Sequence, residues 1–406
     1  MSGFGSGSRI SAADGPSIDA FSRWRISSPE TIFESQMQYD DQPLVWETKT
    51  EGAGSTLNID DESALEMTVG TTSGDSVIRQ TFQYFRYQPG KSQMILITGN
   101  MGEAKDNVLK RIGYFDGYDG LFFEQDGYTL NVVVRDRNGG IIDTAFEQSQ
   151  WNLDKLDGSG PSGIVIDTSK SQIFIIDFQW LGVGRVRFGF DLDGEITYCH
   201  QVLNANIRET TYMSSANLPI RYEIVNTDDT TSSTTMKQIC SAVISEGGLD
   251  NDKGIDRSAS TGITGANISS RESVLSIRPK DIFNGIKNRG NIIPLDFELY
   301  VESQAVFFEI VYRGTVSGAS WSSVGSNSIT EFSTTNSTVS GGEVLASGFV
   351  PAASGKRSAL ASGALTVKVS LNSDIDGDAQ DELSIVCTAL TGTAVVYASI
   401  VFKERF

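Results

Sequence analysis

SQIFIIDFQWLGVGRVRFGFDLDGEITYCH, residues 171–200, decides the fold. An apolar run from Ile173 to Trp180 meets a Gly182-Val183-Gly184 turn. Beyond it Val186, Phe188 and Phe190 alternate with Arg185, Arg187 and Gly189, the period of a half-buried strand. Asp193-Gly194 then closes a second hairpin into Ile196, Tyr198 and Cys199.

The same grammar extends in both directions. Upstream, GLFFEQDGYTLNVVVRDRNGGIIDTAF (120–146) is a meander with Asp126-Gly127 and Asn138-Gly139 as hairpin signals, and SQMILITG supplies a short apolar strand. Downstream, LPIRYEIVN and MKQICSAVIS add two more. Short strands at this spacing, with no long helical pattern between them, predict an all-β protein of antiparallel sandwich or jelly-roll type, its first domain spanning 40–248. The 41 glycines and a hydrophobic share of 39 % suit many strands and turns.

The run EGGLDNDKGIDRSASTGITGANISS is polar and aperiodic, so 249–270 reads as a linker. After it, NIIPLDFELYVESQAVFFEIVYRG, ALTVKVSLN, ELSIVCTAL and AVVYASIVFKE predict a second sandwich over 271–406. Residues 1–39 stand apart. A Gly/Ser-rich start with neither the basic nor the apolar region of a signal peptide leads into IDAFSRWRISSPETIFESQMQY. Phe21, Trp24, Ile32 and Phe33, with Arg23 and Arg25, form either an arm that docks elsewhere or the first strand of the following sandwich.

Charge and residue supply narrow the chemistry. A net charge of −19 repels phosphate backbones and argues against nucleic acid. No apolar run reaches the length of about 18–20 residues that membrane insertion needs. A single histidine, His200, excludes most His-based triads and HExxH sites. Cys199, Cys240 and Cys387 lack CxxC spacing, and buried free thiols are the simplest reading of Cys199 and Cys387.

In NSDIDGDAQDE, Asp374, Asp376 and Asp378 surround Gly377 like a calcium loop, the one cofactor candidate. Glu382 falls one place early for an EF-hand, which favours an acidic hairpin tip. LGVGR lacks the third glycine of a dinucleotide fingerprint, and the aromatics of TFQYFRYQPGK read as core. No nucleophile elbow or P-loop is present, so no enzyme is expected.

DAFSRWRISSPETIFES (19–35) resembles the N-terminal motif of a large group of tailed-bacteriophage structural proteins, whose members typically read DAFGRLRVS-P-TLFDS. Trp24 stands where Leu is common and Ser22 where Gly is common. YQPGKSQMILITG, WNLDKLDGSGPSGI, QIFIIDFQWLGVGRVRFGF, NLPIRYEI and ICSAVISEGG extend the resemblance through most of 19–248, and PLDFELY and ASIVFKE carry it more weakly beyond. The resemblance implies a virion component, of the kind found as tail, fibre or capsid-associated proteins. It would be assembled in the host cytoplasm beside other virion proteins and repeated as a homo-oligomer, with Phe21, Arg23, Trp24, Arg25, Ile32 and Phe33 as docking residues. The alternative is a lectin-like first sandwich that binds a host-surface glycan.

Overall fold

A computed structural model of the protein describes residues 15, 17–24, 28–248, 253–352, 358–359 and 369–406. They fall into two compact units: the first runs to Leu249 apart from Phe82–Tyr84, and the second holds Phe82–Tyr84 and Asp250–Phe406. Among the described residues the only helical elements are two short 3-10 turns, and both units are built from antiparallel strands.

The first unit has fifteen strands: β1 (Pro29–Gln36), β2 (Trp46–Glu51), β3 (Ser55–Ile59), β4 (Ala64–Val69), β5 (Ser76–Thr81), β6 (Gln93–Asn100), β7 (Val108–Phe115), β8 (Gly120–Asp126), β9 (Thr129–Asp136), β10 (Ile142–Glu147), β11 (Gln172–Phe178), β12 (Val186–Leu192), β13 (Glu195–Val202), β14 (Ile220–Asn226) and β15 (Thr234–Glu246). One sheet runs β13-β12-β11-β6-β15-β4-β3, with β1 beside the upper half of β15; the other runs β10-β9-β8-β7-β14-β5-β2. Ile95, Ile97, Phe174, Phe188 and Phe190 from the first meet Ile112, Tyr114, Phe123 and Val132 from the second in one core. It is a β-sandwich.

The turn chemistry explains the registers. Leu192 pairs with Glu195, leaving Asp193 and Gly194 at φ 57° and 90°, the two left-handed positions of a type I′ turn. β8 and β9 close one residue later than the Asp-Gly dipeptide indicates: Asp126 pairs with Thr129, and Gly127-Tyr128 form the loop. Between β11 and β12 the loop is Gln179–Arg185, and Gly184 is forced, since a Cβ there would lie 2.5 Å from the Gln179 carbonyl oxygen.

The second unit stacks a sheet containing Asn291–Val301 and Ala394–Arg405 on one containing Glu272–Pro279, Val306–Tyr312 and Leu383–Ala389, around Ile277, Phe297, Phe308, Ile385 and Phe402. Here the reading of 249–270 as a linker is corrected. Ile255–Ser260 and Ala266–Ile268 are strands paired with Ala394–Arg405. Only Ala259, Ala266 and Ile268 are buried there, so small and polar residues carry the strand and hide its period. The arm boundary moves too: β1 belongs to the first sandwich, bonded to β15 from Pro29↔Glu246 to Gln36↔Cys240.

Candidate functional site on the eight-stranded sheet

The outer face of the eight-stranded sheet has two built features, one at each end. At the first, Asp177 on β11 lies directly across from Arg187 on β12, and both side chains are fully buried. They form an ion pair. Tyr198 donates its hydroxyl to Asp177 Oδ2 at 2.9 Å and Ser92 donates to Oδ1 at 3.1 Å, while the Arg187 guanidinium lies 4.2 Å from the Tyr198 ring centre. Three groups thus share the cost of one desolvated carboxylate.

The backbone of a separate segment, Ile18–Trp24, is bonded to this pair through Arg187. Ile18 bridges to Trp24, and the Asp19 N–H donates to the Arg23 carbonyl at 2.8 Å, closing a tight hairpin. Asp19 Oδ1 accepts the N–H groups of Phe21 and Arg23, each at 2.9 Å, and Oδ2 accepts Arg23 Nε at 2.8 Å. Ser22 sits at φ 63°, a left-handed position that glycine adopts more readily. Arg187 donates to the Ile18 carbonyl at 2.7 Å, Arg185 to the Asp19 carbonyl at 3.1 Å, and the Ala20 N–H to Ser92 Oγ at 3.5 Å.

The six residues expected to dock therefore divide. Ile32 and Phe33 lie in β1 and pack against the first core, Phe33 with its ring centre 4.8 Å from that of Phe85; this corrects their reading as anchors of an arm. The register shifts between Thr31 and Phe33, and this break in the alternation lets two adjacent residues pack against the same core. Phe21, Arg23 and Trp24 ride on the hairpin: Arg23 stacks over Phe21 at 4.5 Å, and Trp24 is 54 % exposed. Arg25 lies outside the described residues.

At the other end the sheet forms a groove. Outward-facing residues line up across four strands as Gln36–Cys240–Thr98–Ile173, with Glu34–Ala242–Leu96 as the next row. The small side chains of β15 leave a trough of about 540 Å³ between the polar rim of β1 and the apolar residues of β6 and β11. Among the described residues, no hydrogen-bond partner meets the side chains of Glu34, Gln36 or Thr98.

The outer face of the seven-stranded sheet is arranged differently. Arg111 reaches Glu124 at 2.8 Å and Glu223 at 3.0 Å, Arg221 reaches Glu223 at 2.6 Å, and Arg135 reaches Asp143 at 2.7 Å. Arg135 and Arg221 also lie over the Phe115 ring. Burial pushes the Glu223 carboxyl up, but Arg221, Arg111 and Arg135 outweigh it and hold the group below the usual carboxylate range.

The remaining sequence candidates are dispersed. Asp374 Oδ1 accepts the Asp378 N–H at 2.7 Å, Arg289 occupies the Asp374 carbonyl at 3.2 Å, and Lys287 lies 3.4 Å from Asp378. Among the described residues no group of three metal-ligating side chains forms, and Lys287 and Arg289 back the hairpin tip that holds Asp374, Asp376 and Asp378. His200 is buried on β13, its ring centre 4.5 Å from that of Phe146, and burial pulls its pKa down to about 4. The three cysteines are free, Cys199 and Cys387 buried.

Sequence reasoning missed Asp177 and Arg187. The signal was an aspartate inside FIIDF, placed opposite Arg187 when the hairpin is folded about its glycine turn.

The sequence matches no family model and no curated protein. Among solved structures, a protein of unknown function from Shewanella oneidensis MR-1 is similar over 57 % of this chain and 92 % of its own, at 11 % identity and TM-score 0.36. A glycosyl hydrolase family 16 protein from Mycobacterium smegmatis is similar over 53 % of this chain and 100 % of its own, at 10 % identity and TM-score 0.36. The receptor-binding domain of a botulinum neurotoxin C/D mosaic covers 65 % of this chain and 66 % of its own, at 11 % identity and TM-score 0.32. These superpositions are loose, and nothing about ligand or reaction follows from them.

Proposed function

We propose that the chain is a non-enzymatic structural protein of a tailed-phage particle, held in place through the Ile18–Trp24 hairpin. Virion membership rests on the motif resemblance across 19–248. The observation that carries the docking role is the exposed Trp24 at the end of a hairpin clamped by Asp19. A rigid hairpin that presents Phe21, Arg23 and Trp24 has the aromatic and arginine composition of interface hot spots, and its entropy of ordering is already spent.

The test is incorporation into particles. Phage lacking the gene are complemented with the parent or with Phe21→Ala/Trp24→Ala, and purified particles are assayed by mass spectrometry. We expect the parent to be present and the double variant, with an unchanged melting curve, to be reduced at least tenfold. Equal incorporation of the variant would remove the hairpin as the anchor, and absence of the parent from particles would remove virion membership.

A further inference from the structure

We infer that the groove on the eight-stranded sheet is a binding site for a neutral saccharide. The inference stands on geometry separate from the hairpin. The trough exists because β15 places Cys240 and Ala242 between larger neighbours on β1, β6 and β11. Its volume of about 540 Å³ is that of a small-molecule site rather than a surface ripple.

The lining selects the ligand class. Leu96, Ile173 and Ala242 give an apolar floor and wall that suit the C–H face of a sugar ring. Along the opposite rim, Glu34 and Gln36 supply planar polar groups, and Thr98 adds a hydroxyl within the trough; all three side chains are unengaged among the described residues, so each is available to a hydroxyl-bearing ligand. A purely apolar ligand would strip water from these groups without replacing it. An anionic ligand would meet the Glu34 carboxylate on a chain of net charge −19. An extended peptide has no strand to join at the trough floor, because β15 is bonded to β1 on one side and β6 on the other.

The experiment applies the full chain to an array of neutral and acidic oligosaccharides and repeats it with Ala242→Trp, which fills the trough, and Thr98→Val, which removes the hydroxyl. The parent is expected to bind neutral members and no acidic ones. Ala242→Trp should lose binding at least tenfold, and Thr98→Val should weaken it several-fold. Trp24→Ala should bind as the parent does, which separates this site from the docking hairpin. If Ala242→Trp fails to fold, alkylation of Cys240 by N-ethylmaleimide serves instead: the saccharide that binds best should slow it in the parent. Absence of neutral-sugar binding, unchanged binding by a folded Ala242→Trp, or unchanged Cys240 alkylation each overturns the proposal.

Discussion

The two outer faces of the first sandwich use the same residue types to opposite ends. On the seven-stranded sheet, three arginines and three carboxylates interlock with one another, and Arg111 alone touches Glu124, Glu223 and Asp143. On the eight-stranded sheet, one arginine and one aspartate meet beside a separate piece of chain, and Arg187 donates further hydrogen bonds to carbonyls of that piece. The first face is a lattice in which Arg111, Glu223 and Asp143 each have more than one charged partner. The second is a socket: Asp177 is satisfied by Arg187, Tyr198 and Ser92, while the separate segment accepts further hydrogen bonds from Arg187.

That difference predicts how each face responds to damage, and the largest effect falls on the socket. Arg187→Met leaves Asp177 buried without its cation and should cost about 3–5 kcal/mol in urea unfolding. Adding Asp177→Leu should recover part of that loss, because no buried charge then remains. If the single substitution costs no more than a surface change, the pair is not the buried element described here.

On the lattice, Glu223→Gln should cost less, about 1–3 kcal/mol, because Arg111 keeps Glu124 and Asp143. Its pH dependence gives a sharper comparison. The Glu223 carboxyl is held below its ordinary range, so its stabilisation is complete above the unfolded pKa and is lost as pH falls through the depressed value. The gap between the parent and Glu223→Gln should therefore be widest at neutral pH and close on acidification. A gap that widens in acid would reverse the assignment.

A smaller effect is expected at His200, on the strand that also carries Tyr198. Its folded pKa of about 4 lies below the unfolded value, so the unfolded chain takes up the proton first. Stability should fall between about pH 6.5 and 4, with His200→Phe showing a shallower slope in the same melting series.

The smallest effect concerns the hairpin turn. Ser22→Gly should raise stability by about 0.5–1 kcal/mol, since glycine accepts φ 63° without strain. A loss instead would mean that the Ser22 side chain contributes something the backbone geometry does not.

Legibility in the sequence followed the same division. The strands from Gly120 to Val202 were readable because period-two alternation and Asp-Gly turns are local signals, and the predicted Asp193-Gly194 turn lies where the sequence puts it. The linker reading failed where strands are made of serine, alanine and aspartate and are held by pairing with Ala394–Arg405, a partner far along the chain. The motif at 19–24 was recognisable as a motif, yet its structure depends on Arg187 and Ser92, which no local pattern connects to it. Phe33 carried two readings, and long-range pairing chose between them. The groove was invisible for the same reason, since its walls come from four strands that meet only in the folded sheet.

The pairing of β1 with β15 also sets a timetable for synthesis. Residues 29–36 leave the ribosome well before their partners at 240–246 exist. At about 5–20 residues per second, the stretch between them takes on the order of 10–40 s to make. Until then β1 carries Ile32 and Phe33 with no sheet to receive them, and β6 likewise waits for both of its neighbours. The nascent first sandwich is therefore most vulnerable to mispairing with another nascent copy just before β15 emerges, and chaperone occupancy along the message should peak there.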